Sequence, residues 1–359
     1  MPQKDLAPER IRSIGASKKN IGGKVFKNLH IRVIRQENLR PIEKFAEIEP
    51  MNTFHSEEER KVELTTVESK MLLGINSNFR SIVKAGYFDN YDLPCPVRVT
   101  IETSGGGLTD VVLRRNRHGE VRTEIQMFHA LEEFGLPVPK VLAGPFQNDV
   151  GESEAVYSLL PGENLQKLGM RSEESLQEAK RLLVSAAIAL TDATSFIENH
   201  EVAKLMPRFT LVAELEGLNK EDNPWFHEKV FQEASDYLRN VLKNIDTALV
   251  ISNGDYQPGN FLAKDGKITG YLDFESASFQ DPMMGFVKYP IYDMLPLSRT
   301  DIIDTFLRQK GFSKNDFNLR LALGCLKILQ KEIPVTGGDI ETEEYRKRVL
   351  QLLREGISY

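Results

Sequence analysis

The sequence predicts an α+β fold in two lobes, a small β-rich lobe followed by a larger helical one, with a cleft between them. Three observations predict it. Short β-branched runs punctuated by turn signals fill residues 97–160. Beyond residue 165, apolar side chains recur at intervals of three and four. That helical half is interrupted only by "VISNGDYQPGNFLAKDGKITGYLDFES" (250–276), which reads as strand, loop and hairpin. A chain of 359 residues is long enough to give each lobe its own core.

The elements follow in order. "VRVTIET" (97–103) and "TDVVLRR" (109–115), separated by "SGGGL", form a β-hairpin. "EVRTEIQMFHALEEFG" (120–135) sets Val121, Ile125, Phe128 and Leu131 on one helical face, with Gly135 as the stop. "PVPKVLAG" (137–144) and "AVYSLL" (155–160) add two strands, which makes a mostly antiparallel sheet carrying one helix. After the turn "PGENL" (161–165), Leu176, Ala179, Leu182, Leu183, Ala186 and Leu190 line a helix over 174–197. Val230, Ala234, Tyr237, Leu238 and Val241 line another over 226–245, and the helical pattern runs on to 343–356. The expected organisation is an N-terminal extension (1–70), a β-rich N-lobe (71–160) and a helical C-lobe (161–359).

Composition excludes several function classes. A net charge of −6 gives no bulk attraction to nucleic acid or to an anionic membrane. Cys95 and Cys325 lie too far apart for a disulfide framework or a metal-ligand spacing, and suit a reducing compartment. No signal-peptide h-region opens the chain, and the apolar run "LLVSAAIAL" (182–190) is too short to span a bilayer. The expectation is a soluble, cytoplasmic protein that uses neither nucleic acid nor membrane as partner. Residues 1–40 carry ten Lys/Arg against three acids, and 41–70 carry four against eight. A basic arm for a polyanion is one reading; a solvated extension answering the acidic stretch behind it is the favoured one. "GASKKNIGGK" (15–24) reads as a loop.

The chemistry concentrates in 250–276. "TALVIS" (247–252) delivers the chain into "NGDYQPGN", which Gly254, Pro258 and Gly259 hold as a loop. Asp265-Gly266 is a hairpin turn, so the hairpin folds Asp273 back beside Asn260. An amide oxygen and a carboxylate facing a cleft are hard oxygen ligands suited to Mg²⁺ shared with phosphate. Asp255 then stands where it can accept or orient a proton from a hydroxyl. Each residue alone reads as turn polarity; the spaced set reads as a site, with Asp265 left to the turn.

"NGDYQPGN…YLDFESASFQDP" resembles the catalytic segment of the aminoglycoside phosphotransferase and choline kinase-like families, which share the protein-kinase fold. "EIQMFHALEEFGLPVPKVLAG" (124–144) resembles their helix and the segment after it, and "AVYSLLPGENL" (155–165) their strand and hinge. The likeness covers roughly residues 97–290. It implies a two-lobed kinase-like fold, with a small antiparallel N-lobe carrying one helix and a mostly helical C-lobe. It also implies roles: Asp255 as the catalytic aspartate, Asn260 and Asp273 as Mg²⁺ ligands, and Arg114 on the nucleotide phosphates with Glu124 as its partner. Ser158 and Leu160, in the hinge, would meet the adenine of ATP (or the base of GTP).

Three departures stand out: Asn253 replaces the usual histidine, Arg114 replaces a lysine, and no glycine-rich phosphate loop is evident. "SGGG" (104–107) reads better as a hairpin turn than as a phosphate cradle, which leaves "KAGYFDNYDLP" (84–94) as the other candidate. Arg115 should point to the opposite face of its strand. Glu275 has two readings, a second metal site or solvent; Asp281 reads as a loop brace and Trp225 as core.

The implied function is an ATP/Mg²⁺-dependent phosphotransferase acting on a hydroxyl of a small molecule such as an antibiotic, amino sugar or amino alcohol. A weak or inactive kinase-like nucleotide-binding module is the alternative, motivated by Asn253 and Arg114. A metal-dependent hydrolase is disfavoured by the small ligand set, and a protein kinase by the lack of an activation segment.

Overall fold

The computed structural model describes residues 60–88, 96–116, 121–148, 151, 153–218, 222–292 and 296–358, all within the compact unit Val33–Tyr359. The charged stretches before residue 60, Cys95 and residues 89–94 of the second candidate phosphate loop lie outside them. The first lobe runs α1 (Thr66–Gly74), β1 (Phe79–Tyr87), β2 (Val97–Thr103), β3 (Leu108–Asn116), α2 (Arg122–Phe134), β4 (Val141–Gln147) and β5 (Ser153–Ser158). Its sheet has the order β1-β2-β3-β5-β4 with every neighbouring pair antiparallel.

The second lobe opens with β6 (Glu163–Asn164), α3 (Leu165–Gly169), α4 (Glu173–Asp192), α5 (Thr194–Glu198), β7 (Arg208–Phe209), α6 (Leu211–Leu218) and α7 (Lys229–Leu242). β8 (Val250–Ser252), β9 (Phe261–Lys264), β10 (Lys267–Tyr271) and β11 (Ser278–Gln280) follow. α8 (Lys288–Tyr292), α9 (Ile302–Lys310), α10 (Lys314–Glu332) and α11 (Ile340–Ile357) complete it. This is the α+β, two-lobed architecture that the sequence predicts. Among the described residues, no helix is long and apolar enough to cross a membrane.

Local chemistry explains where elements differ from the sequence reading. β4 begins at Val141 rather than 137, because Pro137 and Pro139 have no N–H for a ladder. Instead the Pro137 carbonyl accepts from Tyr271 N at 2.9 Å, tying this segment to the end of β10. The helix expected from 226 starts at Lys229, after a 3₁₀ turn at Pro224–His227 capped by Asn223. Trp225 within that turn is buried, its indole N–H donating to the Ile333 carbonyl at 2.7 Å.

α1 has no counterpart in the sequence reading, although "TTVE" is a capping box: Thr65 Oγ1 accepts from Glu68 N at 3.1 Å, and Glu68 Oε2 from Thr65 N at 2.7 Å. α1 covers one face of the sheet, where Leu72, Val97, Val99, Ile101, Val111, Leu113 and Val156 form a buried core. Alternation along β3 puts Arg115 on this face, and Arg114 on the other. Arg115 grips Glu68 with Nε–Oε1 at 2.7 Å and Nη2–Oε2 at 3.0 Å.

Glu154, its cross-strand partner, is completely buried in the same cluster and accepts from Asn148 Nδ2 at 2.7 Å. Burial first, and then the Glu68 charge, push the Glu154 carboxyl up to about 7 against the pull of Asn148 and Arg115. Burial also works on Glu68, but Arg115 and the Thr65 N–H outweigh it and hold that carboxyl below its usual value.

The sign of the pH dependence follows. Between the ordinary glutamate value of 4.5 and about 7, native Glu154 keeps a proton that the unfolded chain has released, so its contribution to stability is lost as pH rises. In Glu154→Gln, the fall in unfolding free energy across that window should shrink by on the order of 2 kcal/mol. Urea unfolding at several pH values checks this, and parallel profiles for the two proteins would contradict it.

Candidate active site

Asp255 lies on the loop after β8, between Gly254 and the 3₁₀ turn Pro258–Asn260. Gly254 has φ +82°, and a Cβ there would meet the Ser276 carbonyl oxygen at 2.8 Å, so the turn requires glycine. Asn253 is buried and bridges two segments. Its Oδ1 accepts from Asp255 N at 3.1 Å, and its Nδ2 donates to the Leu272 carbonyl at 3.4 Å. An amide thus ties this loop to the end of the hairpin at the position where the resembled families carry a histidine.

The Asp255 carboxylate accepts from Gln257 N (3.2 Å) at Oδ1 and from Gln257 Nε2 (2.5 Å) at Oδ2, and pairs with Lys288 Nζ at 2.9 Å. Beneath the loop, Tyr256 is buried edge-on to Phe286, with ring centroids 5.3 Å apart. Gly285 has no room for a Cβ, which would run into that tyrosine ring. Asp281 and Arg320 form a fully buried pair at 2.7 Å, and Asp281 Oδ1 accepts from Met283 N at 2.9 Å. Asp281 therefore braces the chain behind the site.

The β9–β10 hairpin closes at Asp265 (φ +50°) and Gly266 (φ +72°), the left-handed pair that a two-residue turn requires. Pairing of Phe261 with Tyr271 continues into Leu272 N donating to the Asn260 carbonyl at 2.9 Å. Asn260 Nδ2 in turn donates to the Asp255 carbonyl at 3.1 Å. Asn260 is thus bonded to Asp255 on one side and to the neighbour of Asp273 on the other.

Asp273 sits at φ +61°, an uncommon conformation for a residue with a side chain, tolerated best by Asp and Asn. The turn aims its carboxylate across the cleft at Arg114, Nη2–Oδ1 2.8 Å. Arg114 Nη2 also meets Glu275 Oε2 at 2.9 Å, and its Nε lies 3.9 Å from Glu124 Oε2. Glu275 is solvent-exposed, yet its carboxylate meets the arginine.

Glu124, on α2, is buried and accepts from Tyr157 OH at 2.8 Å and from Phe274 N at 3.3 Å. One guanidinium thus stands among three carboxylates. Burial pushes the Glu124 and Asp273 carboxyls up, and Arg114 only partly offsets it. The same acids raise Arg114 despite its own burial.

Ser158 closes β5. Its N–H donates to the Lys140 carbonyl at 2.9 Å and its hydroxyl accepts from Lys140 N at 2.9 Å. Leu160 packs over Gly270, where a Cβ would lie 2.8 Å from its Cδ1. "SGGG" (104–107) forms the β2–β3 turn, roughly 20 Å along the strand from Arg114 at ~3.3 Å per residue. The β1–β2 connection is at the other end, where Tyr87 pairs with Val97 and Val97 with Leu113 beside Arg114.

The match to a family model decides which proteins the chain belongs with. The model, described as "Phosphotransferase enzyme family", matches residues 97–297, more than half of the chain. The chain belongs to the phosphotransferase enzyme family. It is therefore an enzyme of the phosphotransferase class. Solved structures of the same fold include the aminoglycoside phosphotransferase APH(4)-Ia in ternary complex with ADP and hygromycin B. That structure is 15% identical, with a TM-score of 0.58, covering 81% of this chain and 99% of that one.

A putative aminoglycoside phosphotransferase from Ralstonia eutropha JMP134 is 16% identical with a TM-score of 0.57, covering 81% and 96%. The choline kinase LicA from Streptococcus pneumoniae is 14% identical with a TM-score of 0.52, covering 81% and 100%. No curated protein sequence matches.

Removing the amide that ties down the Asp255 loop of this phosphotransferase should be costly. Asn253→Ala leaves Asp255 N and the Leu272 carbonyl without their partner, an expected loss of about 1–3 kcal/mol in urea unfolding. Asp273→Asn should stay within about 1 kcal/mol of wild type, because Asn tolerates the left-handed backbone. A larger loss would show that the carboxylate, rather than the turn, holds this segment.

Proposed function

We propose that this phosphotransferase moves the γ-phosphoryl group of ATP, with Mg²⁺, to a hydroxyl of a small molecule. The observation that carries the reading is the pair of bonds joining Asn260 to Asp255 and to the neighbour of Asp273, with Arg114 facing Asp273 across the cleft.

The donor set fits a magnesium–nucleotide. Asn260 and Asp273 are hard oxygen donors, and three acids surround a single arginine whose buried Nε has no hydrogen-bond partner. Among the described residues no cage of three or more His, Cys, Asp or Glu exists, which agrees with an ion completed by phosphate oxygens and water. Bound there, Mg²⁺ would neutralise charge on the transferring phosphates.

Arg114 would bind the phosphates, with the fixed Glu124 behind it, and Ser158 and Leu160 would meet the base. Asp255 would orient the acceptor hydroxyl and take its proton. Asn253 keeps the loop in place, which favours an active enzyme over an inactive module. The APH(4)-Ia complex holds hygromycin B; for this chain the acceptor class follows from the screen below.

The test is a ³²P transfer screen from γ-labelled ATP to small alcohols, amino sugars and amino alcohols. Asp255→Asn should lose at least about 10³-fold in kcat, while Mg-ATP binding stays within a few-fold. Turnover by a clean Asp255→Asn preparation would contradict the role of Asp255.

A further inference from the structure

The catalytic loop supplies only neutral donors to Asp255, those of Gln257. The cation at its carboxylate, Lys288, comes from the first residue of α8, 33 positions further along the chain. A lysine on a surface helix usually keeps its freedom, and an exposed ion pair contributes little. This one is constrained from both sides. Val287 and Tyr289 are buried, Val287 against α10 at Gly324, where a Cβ would lie 3.0 Å from its Cγ2. The Tyr289 hydroxyl donates to the Tyr256 carbonyl at 2.8 Å, the residue next to Asp255. Phe286, two residues before Lys288, packs on the Tyr256 ring. The element that carries the ammonium is therefore bolted to the loop that carries the carboxylate, while both side chains remain partly open, 32% and 20% exposed.

The charges at the site show why a second cation matters. Asp255, Glu124, Asp273 and Glu275 face Arg114 and Lys288, and Arg114 is shared among the three acids on the nucleotide side. A γ-phosphoryl group approaching the acceptor would meet the Asp255 carboxylate, beside which Lys288 is the one protein cation paired among the described residues.

We infer that Lys288 is a positioning and charge-neutralising residue of the phosphoryl transfer, serving the acceptor side as Arg114 serves the nucleotide side. This rests on Asp255 being the residue that takes the acceptor proton. In the step, the acceptor oxygen bonds to the γ-phosphorus and the bond from that phosphorus to the bridging oxygen breaks, leaving its electron pair on ADP. The hydroxyl proton goes to Asp255, and Lys288 keeps its protons while its ammonium turns from the carboxylate toward the equatorial phosphoryl oxygens.

Fluoroaluminate with Mg-ADP, a charged planar mimic of the group in flight, tests this by calorimetry. Wild type should bind Mg-ADP at least tenfold more tightly when fluoroaluminate is added. Lys288→Met should lose most of that gain while binding Mg-ADP alone within twofold, and Lys288→Arg should keep most of it. Lys288→Gln serves the same comparison should the methionine variant fold poorly. A gain within twofold of wild type in Lys288→Met or Lys288→Gln would overturn the inference alone. Wild-type protein that binds Mg-ADP without any gain, or does not bind it, would overturn both the inference and the phosphotransfer reading beneath it.

Discussion

The site is organised around one guanidinium. Arg114 reaches across the cleft from β3 to Asp273 and Glu275, while Glu124 on α2 stands behind it. A buried arginine is stable only when its charge is answered, and three carboxylates exceed what one arginine can answer. In the proposed reading, that excess negative charge would make the cleft a receiver for cations. It would then suit a metal-bound nucleotide better than a bare polyphosphate. The fold supplies the positions: the strand alternation that separates Arg114 from Arg115, and the hairpin turn that returns the chain to Asn260.

Arg114 and Arg115 are adjacent in sequence yet belong to different machinery. Arg115 is locked with Glu68 and Glu154 under α1, where it has a structural job. Arg114 keeps its reach into the cleft. The same logic of fixed supports recurs in the second lobe. There the buried Asp281–Arg320 pair and the Tyr256–Phe286 contact hold the Asp255 loop from behind. Rigid supports on both sides suit a reaction whose catalysis is mostly positioning and charge neutralisation.

The features written locally were legible in the sequence. The Asp265-Gly266 hairpin, the α2 face with its Gly135 stop and the spacing from Asp255 to Asn260 all follow from turn chemistry and periodicity. What escaped depends on contacts between distant residues. Nothing near Lys288 in the sequence announces Asp255, because α8 reaches it only through packing on Tyr256. The value of Asn253 was equally hidden, since it lies in reaching the Leu272 carbonyl across the hairpin. α1 did carry a readable signal, the Thr65–Glu68 capping box, in a stretch whose weak apolar pattern obscured it.

The central claim is that the carboxylate excess around Arg114 is built to be completed by a metal–nucleotide. The most direct measurement is the Mg²⁺ dependence of ATP affinity, by calorimetry, in wild type and in Asp273→Asn. The account predicts that Mg²⁺ tightens ATP binding at least tenfold in wild type and that Asp273→Asn abolishes most of this gain. Equal ATP affinity with and without Mg²⁺ in wild type would contradict it.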